Sequence, residues 1–178
     1  MSDITQARNF AKRKHLGQLR KNGKTTTFSH LKDVVRNLKK MKVIDEEIIC
    51  AAWLHDTIED TDTDYDSIKD RFGKNIAEIV VSVTKDNRLP KKQREIKYQK
   101  DLKASSAKAK LVKIADILAN VNDAPNAGRN AQWEKQQFVK KSKYWQSVPS
   151  FPRSGAKILL LLVKSWFYLH LRTSRLRL

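Results

Sequence analysis

The sequence predicts an all-α fold with a single hydrophobic core, and three observations support this. The 178-residue chain contains only 5 Gly and 4 Pro, so residues that end helices are scarce. Apolar residues recur at intervals of three and four, the period of a helix with one buried face, and no segment alternates as a half-buried strand would. Hydrophobic residues make up 40% of the chain, which is enough for one domain of this length.

Two apolar stripes predict two helices in the first third of the chain. We expect Ser29 to cap the first helix. The second stripe leads directly into His55 and Asp56. The residues of the two stripes are Leu31, Val34, Val35, Leu38 and Met41, and then Ile48, Ala51, Ala52 and Leu54.

The middle of the chain predicts four further helices. A short helix is expected over about residues 65–72, capped by Asp64 and stopped at Gly73. Residues 90–103 are mostly charged with few apolar residues, so we expect that helix to be exposed or mobile. The other two have the stripes Ile76, Ile79, Val80 and Val83, and Leu111, Ile114, Ala115 and Leu118.

The last segment differs in composition from the rest. Residues 151–178 contain no acidic residue, and six basic residues surround and follow the apolar run 158–163. This run is too short and its surroundings too charged to span a bilayer. We predict that residues 149–178 form a C-terminal helix that closes the core. The alternatives are a basic amphipathic segment lying on a membrane and a tail altered by a change of reading frame.

The net charge and the cysteine content indicate which classes of partner and which cellular compartment to expect for this protein. The net charge of +18 favours phosphate-rich partners: a small polyphosphate, nucleic acid or an anionic membrane. The only cysteine, Cys50, excludes an internal disulfide, and its apolar surroundings predict a buried, inert thiol. The N-terminus lacks the apolar core of a signal peptide, so we expect a cytoplasmic protein.

Residues 53–61 carry the strongest functional pattern, because an apolar run ends there in a histidine and several carboxylates. His55 and Asp56 can bind one metal ion where a helix end turns them inward, while Glu59 and Asp60, one turn later, are left for proton transfer. Two further candidate ligands lie at the ends of apolar stripes. Two imidazoles and two carboxylates suit Mn, Fe, Co or Zn better than Ca or Mg, and we predict Mn²⁺. The additional candidates are His30 and Asp116.

The pattern of these six residues resembles the HD superfamily of metal-dependent phosphohydrolases. Residues 54–61, with their Glu-Asp extension, resemble the signature of the RelA/SpoT-type alarmone hydrolases, especially the small single-domain branch that includes the metazoan SpoT homologue. Three further segments are similar to the family and occur in the same order, so that the resemblance covers roughly residues 8–145. They are residues 14–23, which resemble the family's first-helix segment, residues 83–85, and residues 111–116.

The resemblance implies an HD-domain helical bundle over residues 1–148 that hydrolyses the 3′-diphosphate of guanosine 3′,5′-bis(diphosphate) (ppGpp) or of its pentaphosphate. The products are GDP or GTP and pyrophosphate. The implied roles are Mn²⁺ binding by His30, His55, Asp56 and Asp116; attack of water driven by Glu59 and Asp60; and nucleotide binding by Arg20, Lys21 and Asn120, with Arg20 stacked on the purine.

Three positions near Asp116 depart from the family pattern. Ile117 and Asn122 stand where the family often has basic residues, and Ala119 stands where it has an aromatic residue or His. None of these changes removes a ligand or a catalytic carboxylate, so we expect hydrolysis to survive. The alternatives are another HD nucleotide phosphohydrolase, acting on an adenosine alarmone or on NADPH, and a non-catalytic basic protein that binds RNA or a membrane.

Overall fold

The computed structural model describes residues 3–123, together with Gln132 and Gln136. Within these residues the chain forms helices and no extended strand, which confirms the all-α prediction; one isolated β-bridge joins Leu19 and Thr26. The described helices are α1 (Asp3–Lys14), α2 (Thr27–Lys40), α3 (Glu46–Leu54), α4 (Thr57–Asp60), α5 (Tyr65–Phe72), α6 (Lys74–Val83), α7 (Lys91–Ala104) and α8 (Ala107–Asp123).

Helix α3 lies at the centre of the bundle. It contacts α1, α2, α6 and α8, and every residue from Ile48 to Leu54 is buried. Cys50 is fully buried, as predicted, and burial raises the pKa of its thiol to about 12. Because α3 is surrounded on all sides, its C-terminal end delivers the following residues, His55 and Asp56, into the interior.

Helix α2 begins three residues earlier than predicted. Thr26, with extended backbone, is its N-cap, and the Thr26 Oγ1 accepts a hydrogen bond from the Ser29 backbone N–H at 3.1 Å. The prediction that Ser29 is the cap is therefore wrong: Ser29 is the third residue of the helix, and its N–H is the capped group. This start places His30 in the first turn of α2.

The predicted bounds of α5 are confirmed. Asp64 caps the helix by accepting from the Ser67 backbone N–H at 2.8 Å, and Gly73 ends it. Gly73 has a φ of +89°, a region that a residue without a Cβ adopts readily, and α6 begins at the next residue.

Helix α7 is anchored more firmly than its composition predicted. Tyr98 and Leu102 are both buried, so the prediction of an exposed helix is wrong for this face. The two side chains are four residues apart and therefore share one face. They form a small apolar cluster with residues of α8, namely Ile114, Ile117 and Val121.

The segment that resembles the family's first helix follows α1 in this structure. Helix α1 ends at Lys14, and the following residues form a turn and a short bridged loop. Within it the Arg20 backbone N–H donates to the Thr25 carbonyl at 2.8 Å, and the Thr27 N–H donates to the Gln18 carbonyl at 3.0 Å. These bonds fix Arg20 and Lys21 in a defined loop beside the start of α2.

The predicted domain boundary at residue 148 and all three interpretations of residues 149–178 lie outside the described residues. In the part of the chain that the structure describes, no helix has the length and apolar character needed to cross a membrane.

Candidate metal centre and active site

His55 and Asp56 occupy the junction between α3 and α4, as predicted. His55 is buried, and its Nδ1 lies 2.9 Å from the Ala52 carbonyl oxygen. A carbonyl can only accept, so Nδ1 carries a proton, and Nε2 is the nitrogen that can bind a metal ion in exchange for a proton. Nε2 is buried without a hydrogen-bond partner, 3.1 Å from the Asp56 Oδ1. The ring is therefore oriented as a ligand.

His30 and Asp116 approach the same point from α2 and α8. The Nε2 of His30 lies 3.2 Å from the Asp116 Oδ1 and 3.8 Å from the Asp56 Oδ2. The same Asp116 oxygen is 3.9 Å from the His55 Nε2. Ligand atoms of His30, His55 and Asp56 all lie within 4.8 Å of one another. The four predicted ligands, which come from three separate parts of the sequence, thus converge in the structure.

These residues fit a divalent metal ion. The unpartnered Nε2 of His55 and the two carboxylates offer the mixed nitrogen and oxygen donors that such ions take from proteins. Buried polar atoms are nearly always satisfied, so an orphaned imidazole nitrogen beside two carboxylates points to a bound cation. The group can therefore hold a divalent metal.

The charges in this group favour an ion pair when no metal is bound. Burial favours the neutral imidazole of His55, but the adjacent Asp56 carboxylate outweighs it and raises the pKa of His55 to about 9. Burial likewise opposes ionisation of Asp56, yet His55 holds the pKa of Asp56 well below its usual range. A metal ion binds the deprotonated ring, so it replaces this proton.

The short helix α4 carries Glu59 and Asp60 and is fixed from two sides. The Glu59 Oε2 accepts from the Lys85 backbone N–H at 3.1 Å, and the Glu59 carbonyl accepts from the Asn87 Nδ2 at 3.1 Å. On the other side, the Gln18 Nε2 donates to the Asp60 carbonyl at 2.8 Å. The loops after α6 and α1 therefore hold the Glu59 carboxylate and the Asp60 backbone in place one turn after Asp56.

Asp60 is poised to exchange a proton near neutral pH. Desolvation, followed by the negative charges of Asp56 and Glu59, raises its pKa to about 6. Asp60 is nonetheless exposed to solvent, and the solvent screens part of this effect. A carboxylate with a pKa close to the working pH is suited to general acid–base catalysis.

Replacing Asp60 with Asn is expected to stabilise the metal-free protein at pH 8. The folded-state pKa of about 6 lies above the reference value of 3.8, so the fold binds this proton more tightly than the unfolded chain. The resulting stabilisation is fully present below pH 3.8 and is lost as the pH rises through 6. After allowance for screening, we expect the variant to gain about 1 kcal/mol at pH 8 and little at pH 4.

Urea unfolding in the presence of a chelator, at both pH values, checks this expectation. Asp62→Asn is the matched control: Asp62 is an exposed carboxylate two residues further on, 2.7 Å from the Lys14 Nζ. The control should show no gain at pH 8. A loss of stability in Asp60→Asn at pH 8 would show that Asp60 has a stabilising partner.

Two of the predicted nucleotide-binding residues contact each other. The Arg20 guanidinium donates to the Asn120 Oδ1 at 2.9 Å and forms an ion pair with Asp123 at 3.3 Å. The Asn120 Nδ2 donates to the Asp116 carbonyl at 2.9 Å and to the Asp116 carboxylate. Arg20 is thus held beside the metal centre. Lys21 is exposed, and its charge acts on Asp60, opposing the rise in pKa of that carboxyl.

The departures from the family pattern fall mainly in the core. Ile117 and Ala119 are buried apolar residues, and Ile117 packs in the cluster beneath α7. Asn122 is exposed. The two buried changes therefore add apolar contacts around the helix that carries Asp116.

Two buried polar residues near the site had no predicted role. Lys113, in α8, forms an ion pair with the Asp116 Oδ2 at 2.8 Å. Its signal in the sequence is a charged residue between Val112 and Ile114 in an apolar stripe. His15 is also buried, and its Nδ1 lies 2.7 Å from the Gln18 Oε1; burial lowers the pKa of this ring. Through Gln18 it supports the Asp60 backbone.

Comparison of the sequence with known proteins identifies a family and several relatives. Residues 7–141 match the family described as HD domain. A guanosine-3′,5′-bis(diphosphate) 3′-pyrophosphohydrolase, MESH1, from Xenopus tropicalis is 38% identical over 81% of this chain and 80% of its own length. The MESH1 protein of Danio rerio is 43% identical over 65% of each chain, so the alignment spans about two thirds of that relative.

A solved structure of similar shape agrees with these sequence matches. It belongs to a metazoan orthologue of SpoT that hydrolyses ppGpp and plays a role in starvation responses. It superposes with a TM-score of 0.84 over 94% of this chain and 96% of its own, at 28% sequence identity.

Proposed function

This chain belongs to the HD-domain family, within the branch of the metazoan SpoT homologues, and we propose from this that it is a metal-dependent 3′-pyrophosphohydrolase of ppGpp and its pentaphosphate. Water attacks the phosphorus bonded to the ribose 3′-oxygen and that P–O bond breaks. The 3′-oxygen takes up a proton and leaves as the hydroxyl of GDP or GTP, and the other product is pyrophosphate. The observation that carries the proposal is the convergence of His30, His55 and Asp56 within 4.8 Å, one turn before two carboxylates.

Four residues would hold the metal ion in this proposal, and we propose Mn²⁺. The donors are His30, His55, Asp56 and Asp116, and two imidazoles with two carboxylates suit this ion. When bound, the ion polarises a phosphate oxygen and acidifies water. In this proposal the residues have two separate roles. The four ligands would hold the ion, and Glu59 and Asp60 would transfer protons.

Glu59 and Asp60 would serve as the general base and acid. Hydrogen bonds from Lys85 and Asn87 keep Glu59 in one position, so it can orient and deprotonate the attacking water. Asp60, with its pKa raised to about 6, can hold or release a proton close to neutral pH. Proton transfer of this kind accelerates reactions by about 10²–10⁴-fold.

The nucleotide would lie between the loop after α1 and the end of α8. The planar guanidinium of Arg20 is suited to stacking on a purine, and the ammonium of Lys21 to a phosphate. The contact of Arg20 with Asn120 at 2.9 Å supports this location, because it brings two of these residues next to the ligand Asp116. We propose a cytoplasmic enzyme, in keeping with its nucleotide substrate.

Incubation of the purified chain with Mn²⁺ and ppGpp tests the proposal. The wild type is expected to release GDP and pyrophosphate in equal amounts, and the double variant His55→Ala/Asp56→Ala is expected to release neither. NADPH and an adenosine alarmone should be tested in parallel, because turnover of one of these alone would assign a different substrate. A folded, metal-loaded wild type that releases no phosphate product from any of them would contradict the enzymatic proposal.

A further inference from the structure

Lys113 is a buried cation that gives the two oxygens of the Asp116 carboxylate different surroundings. The two side chains are 8% and 6% exposed, and the Lys113 Nζ lies 2.8 Å from the Asp116 Oδ2. The other oxygen, Oδ1, lies 3.2 Å from the His30 Nε2. One oxygen of the carboxylate therefore meets an ammonium group, and the other faces the imidazoles and accepts a hydrogen bond from the Asn120 Nδ2.

The surroundings keep Lys113 in this position. Its ammonium lies 5.2 Å from the centre of the Tyr98 ring, and the Lys85 ammonium lies 5.3 Å from the same ring. Tyr98 is itself buried, and its hydroxyl donates to the Val83 carbonyl at 3.1 Å. A cation on a buried aromatic face is attracted to the ring.

We propose that Lys113 is an internal counter-ion of the metal centre, which stabilises the metal-free fold through Asp116 and weakens the binding of the metal ion. This inference rests on the proposed role of Asp116 as a ligand. Lys113 is thus a positioning residue: it directs Oδ1 towards the imidazoles, and it sets the charge of the site without contacting the substrate.

The sign of the effect follows from the charges. In the form that binds a metal, with both imidazoles neutral, the two carboxylates give the ligand set a charge of −2, which Lys113 reduces to −1. In the metal-free protein this compensation is favourable, because an unpaired buried charge is costly. Once a divalent ion is bound, the nearby ammonium repels it. At an effective permittivity of about 20, removal of this repulsion should tighten metal binding by at least about tenfold.

The experiment measures Mn²⁺ affinity by calorimetry without nucleotide, and thermal unfolding with a chelator, in Lys113→Met and Lys113→Arg. We expect Lys113→Met to bind Mn²⁺ at least about tenfold more tightly than the wild type. Its melting temperature without metal should fall, and the deficit should shrink when Mn²⁺ is added. Lys113→Arg, which keeps the charge, should bind the metal as the wild type does.

Lys108→Met is the matched control on the same helix. Lys108 pairs with Asp45 at 2.8 Å and Glu47 at 2.5 Å, near the opposite end of α8 from the site. Its removal should leave Mn²⁺ affinity unchanged. If Lys113→Met unfolds without metal, Lys113→Gln, which can still donate to Asp116 but lacks the charge, should show the same tightening in competition with a chelator.

The outcomes separate this inference from the proposed function. Equal or weaker Mn²⁺ binding by both uncharged variants would overturn the counter-ion role while leaving the hydrolase proposal intact. A merely structural role of Lys113 would lower the melting temperature without tightening metal binding. A folded wild type that binds no divalent ion would instead contradict the assignment of Asp116 and its partners as ligands.

Discussion

Replacing His30 with Ala is expected to abolish metal binding and to reduce turnover of ppGpp by about a thousandfold or more, equivalent to about 4 kcal/mol of transition-state stabilisation. The Nε2 of His30 lies among the oxygens of Asp116 and Asp56, at 3.2 and 3.8 Å. Removing this nitrogen takes away one of only two imidazole donors. It also leaves the buried carboxylate of Asp116 and the partly buried carboxylate of Asp56 without a neighbouring polar group.

The measurement combines metal content after dialysis against Mn²⁺ with steady-state hydrolysis. His15→Gln is the matched control, because His15 is equally buried but bonds to Gln18 at 2.7 Å and is not a proposed ligand. The control should retain one bound ion per chain. Full metal occupancy in a folded His30→Ala protein would remove His30 from the ligand set.

The burial and clustering of the four candidate ligands were predictable because the signals for them are local. His55 and Asp56 end a continuous apolar run, which predicts a buried helix whose C-terminus delivers them to the interior. The stripes around His30 and Asp116 predict, in the same way, that each sits at the edge of the core. The bounds of α5 were equally predictable, since Asp64 and Gly73 are helix-ending signals that act on their immediate neighbours.

The contacts that organise the site depend on residues far apart in sequence, and the sequence does not reveal them. Arg20 and Asn120 are 100 residues apart and are joined only because the loop after α1 lies against the end of α8. Tyr98 is buried by apolar residues of α8. Its sequence neighbours in α7 are mostly charged, and they wrongly predict an exposed helix. Lys113 shows the same difficulty, because a single lysine in an apolar stripe is as readily exposed at its tip as paired within the core.

The start of α2 illustrates a finer ambiguity. Thr26 and Ser29 both carry hydroxyls that can accept a backbone hydrogen bond, and either is an acceptable N-cap. The choice is made by the bonds that hold the preceding loop, including the one from the Thr27 N–H to the Gln18 carbonyl at 3.0 Å. Local propensity predicts that a helix starts in this segment, and tertiary contacts determine which residue is its N-cap.

Replacing Glu59 with Gln is expected to lower kcat by about 10²–10⁴-fold while leaving Mn²⁺ bound. The amide oxygen of Gln can still accept from the Lys85 backbone N–H, as the Glu59 carboxylate does at 3.1 Å, so the shape of α4 should be kept. The variant loses the capacity to take a proton from water. Because Glu59 is not a proposed ligand, metal affinity should fall far less than it does in His30→Ala, and Mn²⁺ should still saturate the site.

Fixed-time hydrolysis assays and Mn²⁺ calorimetry on the same preparations distinguish loss of a catalytic base from loss of a metal ligand. Glu95→Gln is the control: Glu95 lies 3.6 Å from the Lys85 Nζ, so it is a carboxylate that contacts the same lysine outside the proposed catalytic pair. It should retain most of the wild-type turnover. Wild-type activity in Glu59→Gln would show that Glu59 is not the base and would assign that role to Asp60, whose pKa of about 6 suits it. Loss of Mn²⁺ from Glu59→Gln would instead show that Glu59 is a ligand.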